Sequence, residues 1–301
     1  MSRAENPDPW ELPEAQWRAI VDEVGAGNGL DHRDWPGNAA VAVAISVDVD
    51  NETLPLSQRV SGPGPLSHAQ YGARVGIRRV VDALNRHSVP ATFFYPAVSA
   101  MLAPERFAEV RAAGHEIGLH GWIHERCGEL TPAQELELGT RSIEALTAVT
   151  GTRPVGMRTP YWDFTVHTLP IAQQLGLEYD SSLMADDQPY ELLRGGEPTG
   201  LTEVPVSWIR DDAPYFPDDA LGKQALAPHD VLRIWQDEFD GAYAEGGLFT
   251  LALHPHVIGH RSRIKVLHDL LAHIAAHSGV WCATHAEIAR YATTRRTRPA
   301  Q

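Results

Sequence analysis

The sequence predicts an α/β protein, a closed or nearly closed barrel of about seven parallel strands. Three features of the chain lead there. Short, β-branched apolar runs alternate with segments of helical spacing, the alternation is even along the chain, and polar residues of catalytic type stand immediately after the apolar runs.

Composition bounds the reading first. A chain of 301 residues with 43% hydrophobic and 21% charged residues has the material for a large core, which excludes a disordered chain. No apolar run approaches the roughly 18 residues of a membrane span, so no membrane partner is expected. A formal net charge of −14 without clustered Lys and Arg argues against a nucleic-acid partner. Met1 to Ile20 lacks a basic start and an apolar stretch, so no secretory signal is read there and a cytoplasmic location is expected. Cys127 and Cys282 suggest neither a disulfide framework nor a zinc ribbon, and Cys127, three residues after His124, reads as an inert buried thiol.

Two domain-level units are expected: an N-terminal arm over residues 1–39 and a single catalytic domain over 40–301. The arm is polar and rich in Trp, Pro and Gly, with one short helix near Glu14 to Val24, and ends in the stretch from Asp31 to Gly37. From Ala40 the pattern becomes regular. Val41 to Val47 is a short apolar run rich in β-branched residues, as a strand buried on both faces should be, and it stops at Asp48. Asn51 to Tyr71 is broken by Pro55, Gly62, Pro63, Gly64 and Pro65 and reads as loop. Val75, Ile77, Val80, Val81 and Leu84 mark a helix over Ala73 to His87, followed by a strand Ala91 to Tyr95, a helix Pro104 to Ala113 and a short strand Glu116 to Leu119 that delivers His120.

Thr131, Pro132 and Gln134 make a helix start, with Pro in the first turn and an amide placed for a capping box, and Gly151 closes that helix after Thr150. A strand Pro154 to Met157, a helix Val166 to Leu175 closed by Gly176 and a strand Leu177 to Asp180 follow. Asp186 to Gly200 and Asp211 to Asp219 read as acidic loops of the kind that cover sites, with a strand Glu203 to Trp208 between them. Pro228 to Tyr243 is helical, Leu248 to Leu253 a strand ending at His254, Ile264 to His277 helical, Val280 to Cys282 a strand, and His285 to Tyr291 a last helix.

The chemistry gathers at the strand ends. Asp48 and Asp50 are two apart and face one way on a strand, while His120 and His124 are four apart and can face one way on a helical turn. A lone pair of either kind is more often a solvated turn or a chance surface pair. Yet Asp48, Asp50, His120, Arg158 and His254 all follow strands directly, on the face where α/β barrels hold catalytic groups, and that coincidence makes a metal site the better reading.

In order, Asp48 and Asp50, His120-x-x-x-His124, Arg158-Thr159-Pro160-Tyr161-Trp162 and Leu251-Ala252-Leu253-His254 resemble the motifs of the NodB-type polysaccharide deacetylase family, over about residues 40 to 291. The resemblance implies a distorted (β/α) barrel that hydrolyses N-acetyl groups with one divalent metal ion. Ser182-Leu183-Met184, the segment Glu203 to Trp208 and Leu253-His254-Pro255 are most similar to the intracellular, peptidoglycan-deacetylase-like branch. Val49 between the two aspartates is a spacing shared with that branch, whereas secreted members carry adjacent aspartates. The branch also implies a homo-oligomer.

On this reading Asp50, His120 and His124 hold the ion and leave positions open, as a catalytic site requires. Zinc suits these ligands, with cobalt, iron or nickel as alternatives; the same ligand types serve non-haem iron oxygenases, against which the family resemblance weighs. Asp48 is the expected general base, His254 the acid for the departing amine and Arg158 the group that orients Asp48. Tyr161, Trp162 and Trp208 are candidate substrate-binding walls, while surface roles are expected for His256, His260 and His268. The substrate is then an amino sugar bearing an N-acetyl group or, alternatively, a small cyclic amide, imide or ureide. A non-enzymatic carbohydrate-binding relic is disfavoured because both aspartates, both histidines, Arg158 and His254 are all present.

Overall fold

A computed structural model describes residues 8–29, 35–217 and 225–296. The stretch from Asp31 to Asp34, the start of the arm and the end of the acidic segment Asp211 to Asp219 lie outside the described residues. In chain order the strands are β1 Gly25–Gly29, β2 Val41–Asp48, β3 Ala91–Tyr95, β4 Glu116–Leu119, β5 Gly156–Met157, β6 Tyr179–Asp180, β7 Tyr190–Arg194, β8 Glu197–Glu203, β9 Leu248–Leu253 and β10 Val280–Cys282.

These strands form one curled, open, mixed sheet. The parallel path runs β9, β2, β3, β4, β5, β6, β8, seven strands as a distorted barrel of this kind was expected to have. Beyond β8 the chain returns toward β9 through a lone parallel bridge between Asp211 and Ala252, so closure is partial. β10 adds a further parallel strand along the first half of β2. β2 is buried along its whole length, which is why its run is mostly apolar rather than alternating, with Ser46 and the terminal Asp48 as its polar positions.

The antiparallel part of the sheet departs from the sequence reading. Residues 186–200, expected as loop, contain β7 and most of β8, joined at Gly195 and Gly196 with φ of 58° and 82°. Two consecutive left-handed residues suit the twist of a tight hairpin, and glycine reaches them without strain. The expected strand Glu203 to Trp208 is instead the last residue of β8 and an extended segment running into a short 3-10 turn. In the arm, the helix Glu14–Asp22 leads into β1, which pairs antiparallel with β7 at the sheet edge. Trp35 is buried and its indole N–H donates to the Gly246 carbonyl at 2.9 Å, whereas Trp10 and Trp17 are exposed.

The segment expected as loop before Tyr71 holds two helices, Thr53–Ser57 and Pro63–Tyr71. Pro63 stands at the first helical position, where its missing N–H has no intrahelical partner to lose, so its presence there starts a helix instead of breaking one. A π-helical turn, Gly72–Gly76, then leads into Ile77–Arg86. A Cβ on Gly76 would stand 2.0 Å from the Pro255 carbonyl oxygen, so glycine permits this turn to press against the chain just after β9.

Most other elements match their expected positions. The helix Pro132–Thr150 has Thr131 and Gln134 in a capping box and Gly151 left-handed at its end. Among the described residues, no helix is long and apolar enough to cross a membrane.

β6 and β8 also bring two buried carboxyl groups together, since Asp180 and Glu203 are register partners with no exposed surface. Burial, then the neighbouring Asp180, raises Glu203 well above the usual carboxyl range, and burial raises Asp180 to about 6. The two groups titrate as a pair, and on these directions the pair is expected to hold a proton near neutral pH. Ser182 donates through its N–H and hydroxyl to Asp180, and the Leu183 N–H donates to Glu203, so the pair fixes the loop after β6. Folded values above the unfolded ones mean that this stabilisation is complete at acid pH and is lost as pH rises through the folded values. Glu203→Gln keeps an acceptor for Leu183 and supplies a permanent donor to Asp180. Its stability relative to wild type is expected to rise from pH 5 to pH 8; a gap in urea midpoints that is the same at both pH values would rule out the shared proton.

Candidate active site

The C-terminal ends of β2, β4, β5 and β9 deliver Asp48, His120, Arg158 and His254 to one end of the sheet. Asp50 lies two residues past Asp48, with Val49 turned into the hydrophobic core between them. His120 and His124 do converge, but not on a helical turn. The connecting loop is irregular, with Gly121 at φ 74° and His124 itself at φ 66°. Glu125 shapes it: its carboxylate accepts from the N–H of Trp122 at 2.8 Å and of Ile123 at 2.7 Å. A left-handed non-glycine residue costs on the order of 1–3 kcal/mol, and such conformations persist where surroundings enforce them. Tyr161 and Trp162, at φ 58° and 56°, border the same cavity, so three strained residues cluster at one place.

Asp50, His120 and His124 are all buried and form a cluster able to chelate a divalent metal. Asp50 Oδ1 lies 3.4 Å from His120 Nε2 and 3.5 Å from His124 Nε2, and it takes no hydrogen bond among the described residues. Burial alone would raise the Asp50 carboxyl, but His124, His120 and His254 hold it well below its ordinary value. Burial lowers His124 to about 4, which keeps that imidazole neutral, the form that ligates. His120 Nδ1 is 2.7 Å from the Arg158 carbonyl; donation there leaves the Nε2 lone pair facing Asp50. An orphaned carboxylate oxygen facing two imidazole nitrogens fits a divalent ion.

Asp48 and His254 flank this cluster. Asp48 Oδ1 accepts from Arg158 at 2.7 Å, while Oδ2 is 4.0 Å from both His120 Nε2 and His254 Nε2. Arg158 has no exposed surface and donates also to Ser46 Oγ, the Ser181 carbonyl and Ser181 Oγ, with its guanidinium carbon 4.4 Å from the Phe94 ring centre. His254 Nε2 is 3.7 Å from Asp50 Oδ2.

A polysaccharide deacetylase family model matches residues 70–179. A peptidoglycan deacetylase of Helicobacter pylori is 31% identical over 280 residues, covering 83% of this chain and 95% of that protein. The chain belongs to the polysaccharide deacetylase family. Among solved structures of 25% identity or more, a Mycobacterium smegmatis protein carrying the polysaccharide deacetylase name has a TM-score of 0.81 at 34% identity, covering 91% of this chain and 99% of that one. Puue allantoinase has a TM-score of 0.77 at 25% identity, covering 91% and 97%.

The folded polysaccharide deacetylase domain adds residues that sequence reasoning did not select. Asp212 Oδ1 is 2.7 Å from His254 Nδ1, and its Oδ2 accepts the His254 backbone N–H at 3.0 Å. Burial alone would lower His254, but Asp212 and Asp211 hold it well above the usual imidazole value. Asp211, 3.5 Å from His254 Nδ1, is itself raised to about 7 by its burial. An Asp-Asp pair in an acidic, proline-rich stretch carries no signal of its own; the bridge to β9 gives it this position.

The site floors a cavity of about 420 Å³. Trp162 and Trp208 stack at 3.9 Å on one wall, with Trp208 half exposed. Tyr161 packs its ring 4.4 Å from that of His124, and the Arg126 guanidinium carbon lies 3.6 Å from the centre of the Tyr161 ring. Trp208, Asp211, Ala213 and Phe216 come from the chain after β8, the last three from the expected covering loop Asp211 to Asp219, which does border the cavity, whereas residues 190–203 form the hairpin at the sheet edge. His256, expected at the surface, is buried and lines the cavity because it lies in the short helix Pro255–Ile258, all of whose residues are buried; His260 is half-buried, its ring stacked 4.2 Å from Tyr71, and His268 is half-buried. Cys127 is buried, and that burial raises its thiol far above the thiolate range.

Proposed function

We propose that the protein is a metal-dependent hydrolase that removes the acetyl group from an N-acetylated amino sugar. One observation carries this reading: an arginine-held carboxylate, Asp48, and an aspartate-held imidazole, His254, face the same Asp50–His120–His124 cluster from two directions. Amide hydrolysis needs that arrangement, because water must lose a proton and the departing nitrogen must gain one. The name of the Helicobacter pylori relative and the family model agree with an amino-sugar amide.

Asp50, His120 and His124 would hold the ion, and zinc suits two imidazoles and one carboxylate. When bound, a divalent ion supplies Lewis acidity toward the amide carbonyl and lowers the pKa of water. Asp48 accepts the proton of the attacking water through Oδ2, since Oδ1 is engaged by Arg158. Arg158 fixes the carboxylate's direction through bonds to β2 and the loop after β6. His254 keeps a proton on Nε2 because Asp212 and Asp211 face its Nδ1, and it gives that proton to the amine. The stacked Trp162 and Trp208 offer a flat apolar surface of the kind on which a sugar ring rests.

A second reading, opening of a small cyclic amide, imide or ureide, is supported by the likeness to Puue allantoinase and by the wall that residues 208–216 place over the cavity. Zinc-loaded protein is expected to release acetate from N-acetylglucosamine oligomers and leave a cyclic imide intact. Ring opening without acetate release would replace the first reading by the second, and no turnover of either with metal bound would remove both. Asp212→Asn retains one acceptor oxygen where two are used and removes the charge behind His254. It is expected to lower kcat by about 10²-fold with KM little changed. An unchanged kcat would show that His254 acts without Asp212.

A further inference from the structure

We propose that Asp240, His273 and His277 form a second site for a divalent transition-metal ion, which clamps the helix Pro228–Glu245 to the helix Ile264–Ala275. His273 lies in the last turn of the second helix, and backbone bonds from Ala276 and His277 continue that turn, so His277 stands four residues on along the same face. The two imidazole centres are 4.9 Å apart. From the first helix, Asp240 Oδ1 approaches both rings, 2.7 Å from His273 Nε2 and 3.7 Å from His277 Nε2. Zinc–nitrogen and zinc–oxygen bonds of about 2.0–2.1 Å in a tetrahedron set ligand atoms roughly 3.3 Å apart, and the observed distances bracket that value.

Tautomer and packing point the same way. His277 Nδ1 is 3.0 Å from the His273 carbonyl; donating there leaves the Nε2 lone pair facing a carboxylate oxygen. Two lone pairs directed at each other repel unless a proton or a cation lies between them. Both rings are also set in place before any ion arrives: Phe239 packs edge-on against His273 and His277, and Tyr243 against His277 while its hydroxyl donates to the Ser278 carbonyl. The histidine side chains are 26% and 28% exposed and Asp240 49%, so an ion can enter and water can complete its shell. Two imidazoles with one carboxylate favour zinc, nickel or copper over magnesium or calcium. The clamp joins two helices that lie on either side of β9 in the chain, the strand that presents His254.

Zinc titrated calorimetrically into chelator-stripped full-length protein tests the proposal. Wild type is expected to bind one more ion than His273→Ala/His277→Ala, and its Tm is expected to rise further with added zinc than that of the variant. The variant should keep wild-type turnover, because neither histidine lines the catalytic cavity. Asp240→Asn, which keeps the size of the side chain, provides the same comparison should the double variant fail to fold. Equal stoichiometry in wild type and in the folded variant, or an extra ion held more weakly than about 1 mM, would overturn the site.

Discussion

Asp48→Asn is expected to keep a bound divalent ion and lose about 10²- to 10⁴-fold in turnover, whereas Asp50→Asn is expected to lose the ion itself. The two carboxylates stand two residues apart, yet their partners differ. Asp50 Oδ1 faces two imidazole nitrogens at 3.4 and 3.5 Å and has no other partner among the described residues, the disposition of a ligand. Asp48 has one oxygen bound to Arg158 at 2.7 Å and the other directed between His120 and His254 at 4.0 Å, where a water proton would be taken. Asparagine at 48 preserves the acceptor for Arg158 and abolishes basicity. Metal content and turnover measured side by side decide the matter. If Asp48→Asn strips the metal while Asp50→Asn retains it, the roles of ligand and base must be exchanged.

The second large effect is expected at Arg158. Its guanidinium is fully buried, and its bonds to Asp48, Ser46 and Ser181 tie β2, β5 and the loop after β6 together. Arg158→Met fills much of the volume but leaves Asp48 as an uncompensated buried charge, a change that costs about 3–5 kcal/mol. A marked fall in the urea midpoint is therefore expected, together with loss of turnover. Combining it with Asp48→Asn removes the unpaired charge, so the double variant should regain part of the stability and none of the activity. The cycle separates the ion pair from the packing. A double variant no more stable than Arg158→Met alone would show that the cost lies in the bonds to Ser46 and Ser181.

Much of this was written in local pattern. The strands that carry the site are short, mostly apolar runs, because a parallel strand covered on both faces has few polar positions, and Asp48, His120 and His254 stand at their C-terminal ends. The hairpin at Gly195 and Gly196 was read as loop, because its acidic and proline-rich surroundings hide a two-glycine turn whose flanking segments pair only in the fold. Pro63 misled in the same sense, since a proline breaks a helix interior but begins a helix at its first turn.

The sequence by itself determined the α/β class and the alternation of most of the parallel strands with helices, and it put forward residues of metal- and proton-handling type at the strand ends, because burial periodicity and residue type are properties of neighbours along the chain. Tertiary structure alone decided the rest. His120 and His124 converge through a strained loop held by Glu125 and not through helical spacing. Asp212 reaches His254 across 42 residues because the chain after β8 bridges back to β9. Asp180 and Glu203 meet as buried neighbours only because β6 and β8 are adjacent. Each of these depends on a distance between residues remote in sequence, which no spacing along the chain encodes, and on the low dielectric of a closed interior, where one added charge or proton changes which arrangement is stable.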